Sequence, residues 1–557
     1  MRTVDRLRPS LRDHPLLVGV ALALPVLEVS IVWATGLHSG LAIAPQITAP
    51  EPFGAFHDLR WLLVYHWSWA SFVVEASAAL AFRTAVVTVM VRAAWPRDDV
   101  HPPSLGHTIR HAAGFVVAAD LLLAPFAALL FAFAALPVSW LFFAALPGAF
   151  VVALLIHHGV AKTRWWRDAP PLRSVGLIAL TFVVLTLTGA TLSVSPARYR
   201  ILIALAAGLF NAWAWLHIVR VLAGRPTARI RPVAPIGVTV LIGLAVIGVF
   251  LGLAGHRQTS RLRSEPVEPT GGGRPVLVVT GFHSPWSGGP SDYGLGKGFT
   301  ERRFSYRGLG ADARPLPYGR AETQRSLRSL VHEMSRQVDA LQAATGRDID
   351  IVAESEGSIL AETYVTAAEH PPVHRVVLLS PLVEPARVRY PRPGEEGWGV
   401  ATGWIVRGVS AGIEAITSTD LSPDSPFARS VIDHAPSLRG LLSCRKSGVS
   451  QLALFPLADA VSSPHPSVVE IRDSVVPAFH GGLLGDTTVR HSVALALRHG
   501  KLPGLDIWQS TERVVSVMSA AWQAPVLPLT TGWNLHRTPG CAAVRSRIRA
   551  WVDLGDG

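Results

Sequence analysis

The chain has 557 residues, 49% of them hydrophobic and 16% charged, with a formal net charge of +12. A mean hydropathy of +0.34 is too apolar for a wholly water-soluble protein of this length, so part of the chain is expected in a bilayer. The basic balance would suit nucleic acid, but no DNA- or RNA-binding motif is present, and arginines flanking apolar segments account for much of the charge.

Seven apolar segments lie before residue 256, each approaching or exceeding the roughly 20 residues that cross a hydrocarbon core as a helix. They fall near 15–36, 62–91, 112–135, 139–159, 174–195, 200–222 and 234–254. The second is overlong and is either tilted or broken, which leaves six or eight crossings open beside seven. Arg2, Arg6, Arg8 and Arg12 precede the first, Arg92 and Arg97 follow the second, Lys162, Arg164, Arg167 and Arg173 follow the fourth, and Arg220, Arg225, Arg229 and Arg231 precede the last. By the positive-inside rule the N-terminus is cytoplasmic, and seven crossings put everything after residue 256 outside, although Arg198 and Arg200 run against the pattern. The basic start and "LAIA" at 41–44 imitate a secretory signal, but the apolar stretch is too long and contains Glu28, so a retained first helix is expected. Arginine-rich, lysine-poor usage hints at a GC-rich bacterial genome and hence a bacterial plasma membrane.

Glu28, Glu75, Arg83 and Asp120 fall within these spans, with His157, His158 and His217 towards the ends of theirs. Such groups are costly in lipid, so they either pair inside the bundle or mark a pathway or proton relay. No repeat between halves is visible, which weighs against a transporter.

The charged, glycine-rich stretch "HRQTSRLRSEPVEPTGGGRP" at 256–275 marks a boundary. It divides the chain into a membrane part over 1–255, a linker over 256–273, a globular part over 274–500 and an extension over 501–557. The globular part alternates strands and helices. "PVLVVTGF" (275–282), "ADARPLPY" (311–318), "DIDIVAE" (348–354), "HRVVLLS" (374–380) and "SQLALFPLAD" (450–459) read as strands, and "ETQRSLRSLVHEMSRQVDALQAATG" as an amphipathic helix ending at Gly346. Continuous Val/Ile/Leu runs separated by helices predict a mostly parallel sheet covered on both faces, with catalytic groups at its carboxyl edge.

Within "DIDIVAESEGSILAETYV", Ala353-Glu354-Ser355-Glu356-Gly357 matches the nucleophile elbow G-x-S-x-G, with alanine in place of the first glycine. Small residues flank such a serine because the chain nearly touches itself at the strand-to-helix turn, and the amide of Glu356 then sits at a helix N-terminus where it can donate to an oxyanion. Asp459 closes the late strand "FPLAD", and His480 lies in the glycine-rich loop "AFHGGLLGD" ahead of a helix. A serine needs a base and the base an orienting acid, which these two supply. Asp473 and Asp486 remain alternatives for the acid, and His465, His434 and His491 for the base. Glu354 and Glu356 are expected to be local loop and helix residues.

With Ser355, Asp459 and His480 in that order, and "VLVVTGF", "AESEGS", "FPLAD" and "AFHGGLLGD" around them, the chain resembles the α/β-hydrolase superfamily, most closely its lipases and esterases, over about 274 to 500. The resemblance implies Ser355 as nucleophile, His480 as general base and then acid, and Asp459 as its partner. Thr280-Gly281-Phe282 stands where these families often read H-G-x, so Phe282 supplies the second oxyanion amide by that likeness.

"HEMSR" (332–336) lacks the second histidine of a zinc motif and "GLGKGF" (294–299) fits neither the P-loop nor the dinucleotide fingerprint, so no metal or nucleotide cofactor is indicated. Residues 385–442 are too many for a simple connection, and the apolar run with Trp398, Trp404, Ile405, Val409, Ile413 and Ile416 forms either a cap over an acyl pocket or a packed helix. Cys444 and Cys541 both fall in the part predicted to lie outside, where an oxidising compartment permits a disulfide; two free buried thiols are the alternative. The sequence thus predicts a membrane-anchored serine hydrolase acting on lipid or other apolar esters. An acyltransferase with the same triad, or a non-enzymatic transporter or scaffold carrying a hydrolase-like binding domain, are the competing readings. Protein partners are not legible.

Overall fold

A computed structural model describes residues 10–97, 102–133, 140–162, 172–223, 273–289, 293–383, 385–386, 388–417, 420–459, 472–478, 480–502, 506–525 and 540–554. Helix α1 (Pro15–Ala34) is followed by a buried 3-10 stretch, His38–Gln46, and a short helix α2 (Phe53–Val64). Then come α3 (Trp69–Ala93), α4 (Leu105–Phe133), α5 (Trp140–Ala161), α6 (Leu172–Val194) and α7 (Ala197–Leu222).

Five of these, α1, α3, α4, α6 and α7, are long and apolar enough to cross a membrane, fewer among the described residues than the seven expected. α5 coincides with the predicted 139–159 segment, and 234–254 lies outside the described residues. The predicted 62–91 span is broken. The chain leaves helix at Tyr65 and re-enters after Ser68, whose hydroxyl accepts from the Ser71 amide while the Ser71 hydroxyl accepts from the Ser68 amide. This reciprocal cap satisfies helix-end donors without changing the apolar average, so hydropathy runs through it.

Glu28 and Arg83 pair inside the bundle. His57 lies 2.8 Å from both Glu28 and Asp58, and Arg83 forks onto Asp58 at 2.8 and 2.7 Å. Planar bidentate geometry satisfies two donors and two acceptors at once, as burial requires. His217 bonds the Trp213 carbonyl at 2.8 Å within its own helix.

Among the described residues beyond 273 lies a six-stranded, wholly parallel sheet: β1 (Arg274–Val279), β2 (Phe299–Arg303), β3 (Ile349–Glu354), β4 (Val373–Leu379), β5 (Ser450–Pro456) and β6 (Arg472–Val476), in spatial order β2-β1-β3-β4-β5-β6. The order reverses direction at β1, opening a crevice between the carboxyl ends of β1 and β3, where ligands of open α/β sheets bind. β3 is buried at every position, Asp350 and Glu354 included, as a central strand between two helical layers requires, and Asp350 is paired there with Arg274 and His374.

Two strand expectations are corrected. Residues 311–318 contribute only the isolated pairings of Pro315 with Leu309 and Tyr318 with Trp286, because two prolines each remove a ladder donor. β2 runs instead through "FTERR", an edge strand whose polar residues gave no apolar signal.

Helix α8 (Leu327–Thr345) ends at Gly346 with φ +64°, and α9 (Glu356–Ala367) follows β3. The insertion after β4 carries α10 (Val400–Thr417) and α11 (Pro426–Leu438); α12 (Thr487–His499), α13 (Asp506–Ser519) and α14 (Cys541–Val552) complete the chain. α10 docks on the bundle: the Gly399 and Ala401 amides donate to the carbonyl and Nε2 of His66, both at 2.9 Å, and the Thr402 hydroxyl donates to the Leu63 carbonyl at 2.6 Å. One hydrophobic core runs from Leu17 in α1 through the sheet to Val552.

Cys444 and Cys541 are joined by a disulfide across 97 residues, Cα–Cα 5.2 Å. Removing it with the double serine variant is predicted to lower unfolding stability by up to about 4–5 kcal/mol on the chain-entropy model. Thermal unfolding with and without reductant checks this: the reduced wild type and the variant should fall to the same midpoint.

Candidate active site

Ser355 occupies the corner between β3 and α9 with φ +54° and ψ −115°, a conformation a side-chain-bearing residue keeps only when its surroundings impose it. Its amide donates to the Leu379 carbonyl at the end of β4 (2.9 Å), and the Ser358 hydroxyl ties α9 back to the Ala353 carbonyl (2.8 Å). Ala353 is fully buried, so the missing first glycine of the motif is accommodated by a methyl packed in the core. Gly357 has no such latitude: a Cβ there would stand 2.8 Å from the Val279 carbonyl oxygen.

Ser355 Oγ lies 2.6 Å from His480 Nε2, and His480 Nδ1 lies 2.8 Å from Asp459 Oδ2. The Asp459 side chain is fully buried and that of His480 is 16% exposed, so the hydrogen-bonded series is shielded at its aspartate end and more open towards Ser355. Gly281 passes over Ser355: a Cβ at 281 would come within 3.0 Å of Ser355 Cβ. Phe282 follows directly, and Glu356 is the first residue of α9, where helix amides lack intrahelical acceptors. Of the two predicted oxyanion donors, Glu356 therefore follows the serine along the chain, and Phe282 follows the glycine packed against it.

The rival residues separate in space. Asp486 caps α12, accepting from the Thr488 and Val489 amides at 2.8 and 3.0 Å. Asp473 lies within β6, an edge strand not among those expected from the sequence. His434 stacks on Trp551 with ring centroids 3.9 Å apart, and His491 lies on α12. His465 falls outside the described residues.

Glu354 and Glu356 are not the local residues expected. The Glu354 carboxylate crosses 129 positions of sequence to accept the Leu483 amide at 2.7 Å, pinning the loop that carries His480. The Glu356 carboxyl is buried and neither of its oxygens has a hydrogen-bond partner. Glu512 carried no mark in the sequence, yet it accepts the Ala458 amide at 2.8 Å, immediately before Asp459. A glutamate on an amphipathic helix carries no sequence mark distinguishing it from a solvated one. Among the described residues no group of three or more histidine, cysteine, aspartate or glutamate side chains is arranged to hold a metal ion.

Burial disfavours the His480 imidazolium, but the Asp459 charge and hydrogen bond, with a further contribution from Glu354, outweigh it and raise its pKa above the ordinary 6.5. Burial alone pushes the Glu356 carboxyl well above the usual carboxylate range.

Two pH effects follow. His480, raised in the fold, stabilises it most fully below 6.5 and loses that contribution as pH rises through its folded value. In the base role expected of His480, activity needs the neutral imidazole and rises over the same interval; Glu354→Gln should then move that acidic limb of kcat/KM to lower pH. Glu356 destabilises the fold increasingly as pH rises past 4.5, so Glu356→Gln should unfold at higher temperature than wild type at about pH 9 and at the same temperature at about pH 4.

No family model matches the chain, and no curated protein matches it. Among solved structures it is similar to a bromoperoxidase from Bacillus anthracis, at 15% identity and TM-score 0.28, over 42% of this chain and 97% of that one. It is also similar to Aspergillus fumigatus lipase B, at 13% identity and TM-score 0.22, over 64% of this chain and 99% of that one. Likeness this weak carries no argument, and the functional reading stands on the geometry above.

Proposed function

We propose that the chain is a membrane-anchored serine hydrolase of the lipase and esterase type, cleaving carboxylic esters of apolar or lipid-like substrates through an acyl-enzyme. The observation that carries this reading is the hydrogen-bonded series Ser355–His480–Asp459 mounted on a strained strand-to-helix turn. Ser355 Oγ attacks the ester carbonyl as His480 Nε2 takes its proton, and the amides of Phe282 and Glu356 hold the resulting oxyanion. The imidazolium, held in orientation by Asp459, then protonates the leaving alcohol. Water, deprotonated by the same nitrogen, attacks the acyl-serine and releases the carboxylic acid and free Ser355.

Residues 1–255 serve as the anchor in this reading, 274–500 carry the chemistry outside the cytoplasm, and 501–557 are an extension packed on the hydrolase part, from which Trp522 also reaches the bundle. Leu63, His66 and Trp69 meet the sheet side, and Trp69 opens α3, whose last residue, Ala93, is bonded through its carbonyl to His14 at the start of α1, so the contact lies at the other end of α3 from His14. A cytoplasmic N-terminus therefore leaves the catalytic part on the outer face. Trp67, Trp69 and Trp404 are exposed at that end, with Trp404 on the insertion helix α10, in keeping with an aromatic belt at a bilayer interface and an apolar substrate.

Fluorophosphonate labelling of the detergent-solubilised full chain tests the reading. Wild type should label, Ser355→Ala should not, and His480→Ala should label far more slowly; ester turnover should fall at least about 10⁴-fold in either variant. Equal labelling of folded wild type and Ser355→Ala defeats the nucleophile assignment. Product analysis with an added acceptor alcohol separates hydrolysis from acyl transfer.

A further inference from the structure

Helix α13 touches the candidate site at one place and the membrane bundle at another. Near its middle, Glu512 is 3% exposed and accepts the Ala458 amide at 2.8 Å. Ala458 has φ +51°, a left-handed conformation unfavourable for alanine, and the residue after it is Asp459. The turn that aims the triad acid is thus held by a bond from outside its own loop.

From Glu512 a polar stripe continues along one face of the helix at three- and four-residue spacing. The Ser516 hydroxyl donates to Glu512 Oε1 at 3.3 Å, the Ser519 hydroxyl to the Ser516 carbonyl at 2.6 Å, and Gln523 Nε2 to Ser519 Oγ at 3.1 Å. Immediately beyond the helix, the Ala521 carbonyl accepts from Gln46 Nε2 and from Arg60 Nη1, each at 2.7 Å. The Arg60 guanidinium also donates to Gln46 Oε1, and Arg60 is 0% exposed. A cation set against the carbonyl end of a helix is the favourable orientation.

Trp522 completes the seat. It is 1% exposed, its indole N–H donates to Thr186 Oγ1 at 2.9 Å, and it stacks on Phe182 at 4.9 Å with Phe53 and Phe56 at 5.7 and 6.2 Å. Gly189 on α6 lies against the same place: a Cβ there would meet Ala521 Cβ at 2.6 Å. Bundle and helix end are fitted to each other without room for adjustment.

We infer that α13 is a strut through which the membrane bundle positions the triad acid, with Glu512 as the positioning residue and the Arg60–Gln46–Thr186 seat as its fixed end. The bundle is then part of the catalytic geometry as well as an anchor. This rests on the serine-hydrolase reading of Ser355, His480 and Asp459.

The test uses the full chain in lipid nanodiscs, with a soluble short-chain ester and fluorophosphonate labelling as readouts. Glu512→Ala should lower kcat about 10- to 100-fold with KM nearly unchanged, the scale of a small misplacement of a catalytic group. It should also move the acidic limb of the pH profile downward, because Asp459 no longer holds its charge against His480. Glu512→Gln, whose amide oxygen can accept the same bond, should recover most of the loss. Arg60→Met and Trp522→Ala should reproduce the kcat loss and the pH shift well below their melting temperatures, and combining Arg60→Met with Glu512→Ala should cost less than the product of the two. Thr186→Val, nearly isosteric, guards against misfolding and should give a smaller loss in the same direction. Seat variants that melt earlier but keep wild-type kcat and pH limb overturn the strut, as does a wild-type pH limb in Glu512→Ala. An unlabelled wild type defeats the hydrolase reading beneath it instead.

Discussion

A serine at φ +54° and ψ −115° costs of order 1–3 kcal/mol unless neighbouring structure holds it, and the neighbouring structure here is the rest of the site. β4 accepts the Ser355 amide, Ser358 ties the first turn of α9 to Ala353, and Gly281 and Gly357 leave only enough room for β1 to pass. The same positive φ recurs without glycine at His283, Ser380 and Ala458, so the segments after β1, β3, β4 and β5 all bend sharply at the carboxyl edge. A parallel sheet delivers its strand ends to one edge, and tight turns there let side chains from distant segments converge.

Convergence would be loose if each loop were held only by itself. Glu354 on the elbow strand binds the loop of His480, and Glu512 on α13 binds the turn before Asp459, so each partner of Ser355 is restrained by a carboxylate from another element. Such bonds are well placed to decide geometry, since both carboxylates are buried and their removal leaves an amide without its acceptor. His480 is polarised by the same arrangement, with Asp459 and Glu354 opposing the desolvation that would otherwise weaken its basicity.

The membrane bundle meets the sheet side through α10 on His66 and Leu63 and through Ala521 and Trp522 on Gln46, Arg60 and Thr186. Both contacts use the segment between α1 and α3, which folds back into the bundle as a 3-10 stretch and a short helix. The paired charges Glu28, His57, Asp58 and Arg83 lie on or beside this segment. They tie it to α1 and α3 by bonds that water cannot replace in an apolar surrounding.

What the sequence determined by itself was local and periodic. Apolar length marked the bundle, Val/Ile/Leu runs marked β1, β3, β4 and β5, and the small residues around Ser355 marked the elbow, because each of these follows from physics within a few consecutive residues. Ser355, Asp459 and His480 were legible from their order and their places at element ends, and the structure brings these three together rather than Asp473, Asp486, His434 or His491. Tertiary structure decided the rest. The break at Tyr65–Ser68 depends on a cap of two hydroxyls, β2 is an edge strand without an apolar signature, and the roles of Glu354, Glu356, Glu512 and Arg60 come from partners 54 to 461 positions away or from burial with no partner at all. A buried glutamate and a solvated one are the same letter, and only the packing of distant segments tells them apart.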